Sequence, residues 1–231
     1  MIDVHTHVLP CVDDGSALVE TSLKMLKKEV KSGVSKLILT PHFRHGMFND
    51  FSSCEIRRRF EDFKSVCKEA KIKADLYLGQ EIYCTHRIYD DLQSGNVITI
   101  NGTEYILIEF SYYDETYIGD YVFKIERLGF KPVIAHVERY TYLDFNNLYD
   151  YRQAGALIQV NASSVVGDEG KATQQRVLSA ISAGLVDFVA SDYHSGRTFS
   201  MKKAAQIVMK TCGRQTAENL FRLNAEKYFN L

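Results

Sequence analysis

Nine side chains able to ligate a metal recur along this chain in short, well-separated motifs. His5 and His7 stand in DVHTH, Asp14 in VDDG, His42 in TPH and Glu81 in GQE. Glu109 follows in IEF, His136 in AHVERY, and Asp192 with His194 in ASDYH. The pairs His5/His7 and Asp192/His194 are each two residues apart, a spacing that puts both side chains of a strand on one face. Four carboxylates and five imidazoles exceed what one ion needs and suit two or three divalent ions, with a carboxylate bridging a close pair. Such centres hold ions about 3.5–4 Å apart, activating water and gripping a substrate oxygen. No cysteine belongs to the set, and mixed nitrogen and oxygen ligation suits manganese, iron or zinc.

Taken singly, each element has an ordinary explanation. A lone H-x-H is commonly a surface pair, Glu81 could start a helix, and Asp14 before Gly15-Ser16 could cap one. The argument lies in their joint placement. Arg139 comes three residues after His136, and Arg197 three after His194. Both are expected on loops beside the ligands, where a guanidinium can grip a phosphate through two hydrogen bonds. Arg44 and His45 are weaker candidates, and His86 reads as a helix-face residue. Tyr112, Tyr113 and Tyr117 follow Glu109 and could line a cleft, but among 14 tyrosines they read as ordinary core and surface residues.

The elements that must position these residues alternate strand and helix. Apolar strand runs are expected at Ile2–His7, Lys36–Thr40, Ala74–Leu78, Glu104–Phe110, Pro132–Val137, Leu157–Val160 and Val186–Ala190. Helices fall between them, among them Ala17–Ser32, where Val19, Leu23, Leu26 and Val30 form an amphipathic stripe stopped by Gly33. Further helical stretches are expected at Tyr117–Leu128, Asn146–Gln153, Lys171–Ala183, Ser200–Thr211 and Thr216–Tyr228. Asn101-Gly102 predicts a type I′ hairpin between Val97–Ile100 and Glu104–Phe110. Repeated βα units imply a parallel sheet covered by helices. Seven of them favour a closed or nearly closed barrel in one domain spanning residues 1–231. In such barrels functional side chains gather at the C-terminal ends of the strands. Six strands supply the nine ligands there, and the remaining one ends in QVNASS with none.

Composition narrows the alternatives. A chain of 231 residues with 45% apolar residues builds its core without a disulfide or metal staple. Its net charge of −1 lacks the basic surplus of a nucleic-acid or anionic-membrane binder. No run approaches 18 consecutive apolar residues, so no membrane insertion is expected. Five scattered cysteines without a C-x-x-C pair, and an opening without a signal-peptide pattern, suggest the cytoplasm. A cysteine phosphatase needs C-x5-R; the residues six after the five cysteines are Ala17, Phe60, Lys73, Asp90 and Glu218, which excludes it.

DVHTHVLP, VDDG, TPH, GQE, IEF, AHVERY and ASDYH, in this order, resemble the polymerase and histidinol phosphatase (PHP) superfamily. Within it they are most similar to the metal-dependent protein-tyrosine phosphatases of bacterial capsule and exopolysaccharide loci. That resemblance implies an α/β fold, a distorted seven-stranded βα barrel, holding three divalent ions, manganese first, with iron or zinc as alternatives. By the resemblance, His5, His7, Glu81 and Asp192 hold one ion. Glu81 bridges to a second, shared with Glu109 and His136, and Asp14, His42 and His194 hold a third. The implied reaction is hydrolysis of phosphotyrosine by a metal-activated hydroxide, with Arg139 and Arg197 on the phosphoryl group and His42 or His194 as acid. The implied partner is a phosphotyrosine protein, a tyrosine kinase with a Tyr-rich tail that controls polysaccharide synthesis. Two other readings stand beside it: a small-molecule phosphatase of the histidinol-phosphate type, and a non-catalytic kinase-binding module. One departure is visible. Cys11 stands where the family has glycine, and would be strained if the position needs a positive φ.

Overall fold

The computed structural model describes residues 1–43, 51–113 and 116–231. Nine strands appear among them: β1 (Ile2–Thr6), β2 (Lys36–Leu39), β3 (His42–Phe43), β4 (Asp75–Leu78), β5 (Glu81–Tyr83), β6 (Tyr105–Glu109), β7 (Lys131–Ile134), β8 (Leu157–Asn161) and β9 (Phe188–Ala190). The helices are α1 (Val19–Lys31), α2 (Ser53–Glu69), α3 (Ile88–Gln93), α4 (Ile118–Arg127), α5 (Asn147–Gln153), α6 (Ala162–Val166), α7 (Lys171–Ser182), α8 (Met201–Cys212), α9 (Arg214–Glu218) and α10 (Asn224–Phe229). Every strand pairing is parallel. That follows from helical crossovers between strands, which carry the chain back to the same end of the sheet.

The expected seven-strand closed barrel is not what the ladders form. The strands divide into a sheet of three, β1-β2-β4, and a sheet of six, β3-β5-β6-β7-β8-β9. Two expected strands, β2 and β4, are each followed by an unexpected short strand, β3 and β5. Pro41, which has no N–H to donate, separates β2 from β3, and Gly79-Gln80 separates β4 from β5. Irregular bonds cross these breaks, from Gly79 N–H to the Leu39 carbonyl (2.9 Å) and from Glu81 N–H to the Pro41 carbonyl (3.1 Å). At the other margin, Asp192 N–H donates to the His5 carbonyl (2.8 Å) and His7 N–H to the Tyr193 carbonyl (3.0 Å). These bonds bring the ends of β1 and β9 together.

The Asn101-Gly102 hairpin does not form either. Both residues take the positive φ that a type I′ turn requires (49° and 70°), but they sit in a short 3₁₀ turn, Ile100–Gly102. Ile98 N–H is instead held by the Gln80 side-chain oxygen at 2.9 Å, so the preceding segment is anchored to the β4–β5 break rather than paired with β6. His86 lies exposed in the turn before α3, not on a helix face.

Period-two alternation explains why the site forms where it does. Tyr105, Leu107, Leu157, Phe188 and Ala190 pack with Ile2, Val4 and Val133 in one buried apolar cluster, closed from below by Phe229 of α10. Continuing along the same strand faces gives Glu109 after Leu107, Gln159 and Asn161 after Leu157, and Asp192 after Ala190. The face that is apolar along the strands therefore turns polar at their C-terminal ends, and all four polar residues are buried there.

Candidate metal centre

The strand ends bring all nine sequence-predicted ligands into one cluster. Donor atoms of His5, His7, Glu81 and Asp192 lie within 4.8 Å of one another, as do those of His7, Asp14, His42 and His194, and those of His42, Glu81 and Glu109. Glu81 is central. Its Oε2 lies 3.2 Å from His5 Nε2, 3.2 Å from His7 Nε2 and 3.0 Å from His42 Nδ1, while its Oε1 is 2.8 Å from His136 Nε2. His136 Nε2 also lies 3.8 Å from Glu109 Oε1. Asp14, half exposed at the rim, sits 3.5 Å from His42 Nε2 and 3.4 Å from His194 Nε2. Arg44 and His45 lie outside the described residues.

Buried hydrogen bonds aim the imidazoles. Gln159 Oε1 accepts from the His136 backbone N–H (2.9 Å), and a backbone amide can only donate, so the amide orientation is fixed. The same oxygen lies 3.1 Å from His5 Nδ1, which must carry its proton there and present Nε2 as a lone pair. Gln159 Nε2 donates to Asn161 Oδ1 (2.8 Å), and Asn161 Nδ2 donates to Asp192 Oδ2 (3.1 Å). The strand that reads as ligand-free thus supplies an amide relay behind two of the candidate ligands. Its signal in the sequence is a Gln and an Asn two apart, on one face of a strand end already flanked by ligand-bearing strands.

Asp13 plays the corresponding part for His7. Its fully buried carboxylate meets His7 Nδ1 at 2.8 Å and accepts the backbone N–H groups of Gly15 (2.9 Å) and His42 (3.1 Å). Of the Asp13-Asp14 pair, Asp14 faces the cluster and Asp13 stands behind it. Gly15 is required by close approach: a Cβ there would lie 2.1 Å from the His7 carbonyl oxygen. Two non-glycine residues of the cluster occupy the left-handed region, His136 (φ 30°) and Asp192 (φ 48°). Such conformations cost about 1–3 kcal/mol each and concentrate at functional sites. At His136 the turn reverses the chain out of β7, and Arg139 N–H closes it onto the His136 carbonyl at 2.9 Å. Cys11 also takes a positive φ, 62°, the strain anticipated for a side chain at that position.

The electrostatics call for positive charge inside this cluster. Burial by itself would raise Glu81, but the nearby imidazoles of His5 and His42, with the hydrogen bond to His136, hold it well below the usual carboxylate range. Asp192 is likewise held low against its burial by His5, Arg139 and His7. Burial would lower His5 and His7, yet Glu81 and Asp192 raise the first, and Asp13 and Glu81 raise the second well above its ordinary value. Asp14 is lowered mainly by its hydrogen bond with His194. The donor set fits divalent cations on geometry too. His5 Nε2 and His7 Nε2 face each other at 3.1 Å with both Nδ1 protons committed elsewhere, and Glu81 Oε2 has no hydrogen-bond donor despite complete burial. Converging lone pairs of this kind are stable around a cation.

Above the cluster opens a cavity of about 210 Å³ lined by nine charged or imidazole side chains and by Tyr112. Arg139 Nη1 lies 2.7 Å and Arg197 Nη1 3.1 Å from Asp192 Oδ2, so both guanidinium groups reach the cavity from one carboxylate. Arg139 also faces Glu169 at 3.8 Å, and Asp192 with its other acidic neighbours keeps it charged against the cost of burial. Tyr112 donates a short hydrogen bond to Glu109 Oε1, a placement the tyrosine count alone did not indicate. Tyr113 and Tyr117 are exposed.

Fold and site together define a parallel α/β protein with a candidate multi-metal cluster at its strand ends. The chain belongs to the family described as Capsular polysaccharide synthesis, CpsB/CapC, whose model matches residues 1–230. It is 33% identical over 239 aligned positions to the tyrosine-protein phosphatase CpsB of Streptococcus pneumoniae, covering 98% of this chain and 97% of that protein. It is 31% identical to the tyrosine-protein phosphatase YwqE of Bacillus subtilis, over 92% of this chain and 85% of that one. A solved structure from work on YwqE and CpsB, described as unique metal-dependent tyrosine phosphatases, superposes with a TM-score of 0.87 at 30% identity, over 94% of this chain and 90% of the other.

Proposed function

We infer that this chain is a metal-dependent protein-tyrosine phosphatase. The observation that carries the reading is the buried cluster of imidazoles and carboxylates opening into a cavity with two arginines, in a chain whose close relatives are tyrosine-protein phosphatases. We assign His5, His7, Glu81 and Asp192 to one ion, Glu81, Glu109 and His136 to a second, and Asp14, His42 and His194 to a third. The convergence of donor atoms on Glu81 supports its bridging role, and His7 and His42 lie close enough to be shared. Nine mixed nitrogen and oxygen ligands suit manganese, iron or zinc, and we place manganese first on the family resemblance. We read the two sheets as arcs of one distorted barrel, supported by the bonds that join the ends of β1 and β9.

Bound divalent ions would supply activation of water and neutralisation of phosphoryl charge. The chain's own residues do the rest. Arg139 and Arg197 grip the phosphoryl oxygens through charge-assisted hydrogen bonds, turning from Asp192 toward the substrate. Gln159, Asn161 and Asp13 hold the ligands in one geometry, so little reorganisation accompanies reaction. A phenolate leaving group, with a parent pKa of about 10, needs less protonation than an alkoxide. His42 and His194, at the rim beside Asp14, stand where a proton could be delivered to it.

The partner on this reading is a phosphotyrosine protein, a tyrosine kinase of polysaccharide synthesis, in keeping with the family to which the chain belongs. Five free thiols fit a reducing cytoplasm, and no helix among the described residues is long and apolar enough to cross a membrane. The test is to measure metal-replete protein on a phosphotyrosine peptide and on histidinol phosphate in parallel. The reading predicts a kcat/KM strongly favouring the peptide. Preference for histidinol phosphate would make the small-molecule alternative correct, and cleavage of neither would leave a binding module.

A further inference from the structure

The cavity above the cluster has a wall unlike the rest. Nine of its lining side chains are charged or imidazole and suit the phosphoryl end of a substrate; Tyr112 alone is a neutral, carbon-rich surface. Its ring is also fixed. The hydroxyl is tied to Glu109, one face stacks on Tyr140 at a centroid distance of 6.1 Å and an interplanar angle of 29°, and His136 meets it edge-on at 5.7 Å. Tyr140 is itself immobilised, donating its hydroxyl proton to the Ala135 carbonyl (2.9 Å) and accepting from Phe110 N–H (3.0 Å). A buried, doubly anchored ring thus backs a partly buried one that also meets exposed Tyr113 edge-on at 6.3 Å and contributes to the cavity wall.

Resting on the phosphatase reading above, we propose that Tyr112 is the specificity-determining residue of this site. It stacks on the aromatic ring of the phosphoester's leaving group and so selects aryl over alkyl phosphates. Its hydroxyl serves a separate end, anchoring Glu109; the ring carries the selectivity. Offset or edge-on ring contact contributes a factor of about 3–10 in affinity beyond plain burial. A pre-fixed ring loses little entropy on contact, which keeps that factor intact.

Phenylphosphonate and methylphosphonate test this, because neither can be hydrolysed and their difference is the ring alone. Calorimetric titration of metal-replete wild type should show phenylphosphonate binding more tightly. Tyr112→Phe should keep that preference, and Tyr112→Leu should reduce it by about 3–10-fold. A preference unchanged in Tyr112→Leu overturns the proposal. As a second readout, wild type loaded with diamagnetic zinc and carrying ring-labelled tyrosine should show a nuclear Overhauser contact between phenylphosphonate and a tyrosine ring that disappears in Tyr112→Phe. No such contact in wild type also overturns it. Hydrolysis of a phosphotyrosine peptide by the same wild-type sample is scored separately: if it proceeds while the ring preference is absent, the selectivity proposal fails and the phosphatase reading stands.

Discussion

Replacing Gln159 by leucine removes the hub of the amide relay while keeping a buried side chain of similar bulk. Two donors lose their acceptor, the His136 backbone N–H at 2.9 Å and His5 Nδ1 at 3.1 Å, and both residues are almost completely buried. A buried donor left unpaired costs about 1–3 kcal/mol, so the pair costs about 2–6 kcal/mol. For a chain of this size 1 kcal/mol corresponds to about 2–4 °C, which places the fall in Tm of the metal-free protein at about 5–20 °C. Releasing His5 from its fixed tautomer should also weaken metal binding by about 10–100-fold, the usual effect of losing a group that orients a ligand. Scanning calorimetry of the stripped protein and competition against a chromogenic chelator measure the two effects. Gln159→Glu keeps the accepting oxygen and should retain more of both. A leucine variant with wild-type Tm and wild-type metal affinity would refute the reasoning that the relay holds the ligands.

Three other outcomes are expected. Gly15→Ala forces a Cβ into the His7 carbonyl and should abolish metal-dependent activity while lowering Tm, whereas an unperturbed variant would show that the loop can move aside. Cys11→Gly removes left-handed strain and should raise stability by about 1 kcal/mol in a denaturant titration; unchanged stability would mean the position is unstrained. Glu29, buried and close to Asp3, is held well above the usual carboxylate range by burial first and Asp3 second. Its neutral form is the one that favours folding, so its contribution is intact below the ordinary pKa near 4.5 and is lost as pH rises toward the raised value. Glu29→Gln should therefore match wild type in Tm near pH 4 and exceed it increasingly up to pH 8; a pH-independent gap would contradict this.

Most of the candidate site's convergence was legible in the sequence because its candidate ligands sit at or just past strand ends, where period-two alternation and apolar runs reveal direction and face. That rule pointed to His5 with His7 and to Asp192 with His194, although the chain has left β9 at Asp192, which takes a positive φ. Less legible were the residues that act through others. Gln159 and Asn161 look like ordinary polar strand residues until the positions of His5 and Asp192 in space are known, and Asp13, passed over in favour of Asp14, shows its part only in how the loop folds onto His7. The breaks at Pro41 and Gly79 were visible as residues, but their consequence for the sheets depends on long-range pairing that no local pattern encodes. Asn101-Gly102 shows the converse: local chemistry set both positive φ values, and the Gln80 side chain then claimed the amide of Ile98.

The central claim is that the cluster around Glu81 works by holding divalent ions. Its most direct test is to strip the protein with a chelator, count bound metal, and follow hydrolysis of a phosphotyrosine peptide as manganese is restored, with His136→Ala in parallel. The account predicts no hydrolysis by stripped protein, recovery that tracks metal occupancy, and loss of both occupancy and rate in the variant. Stripped protein that hydrolyses the peptide at the full rate would contradict it.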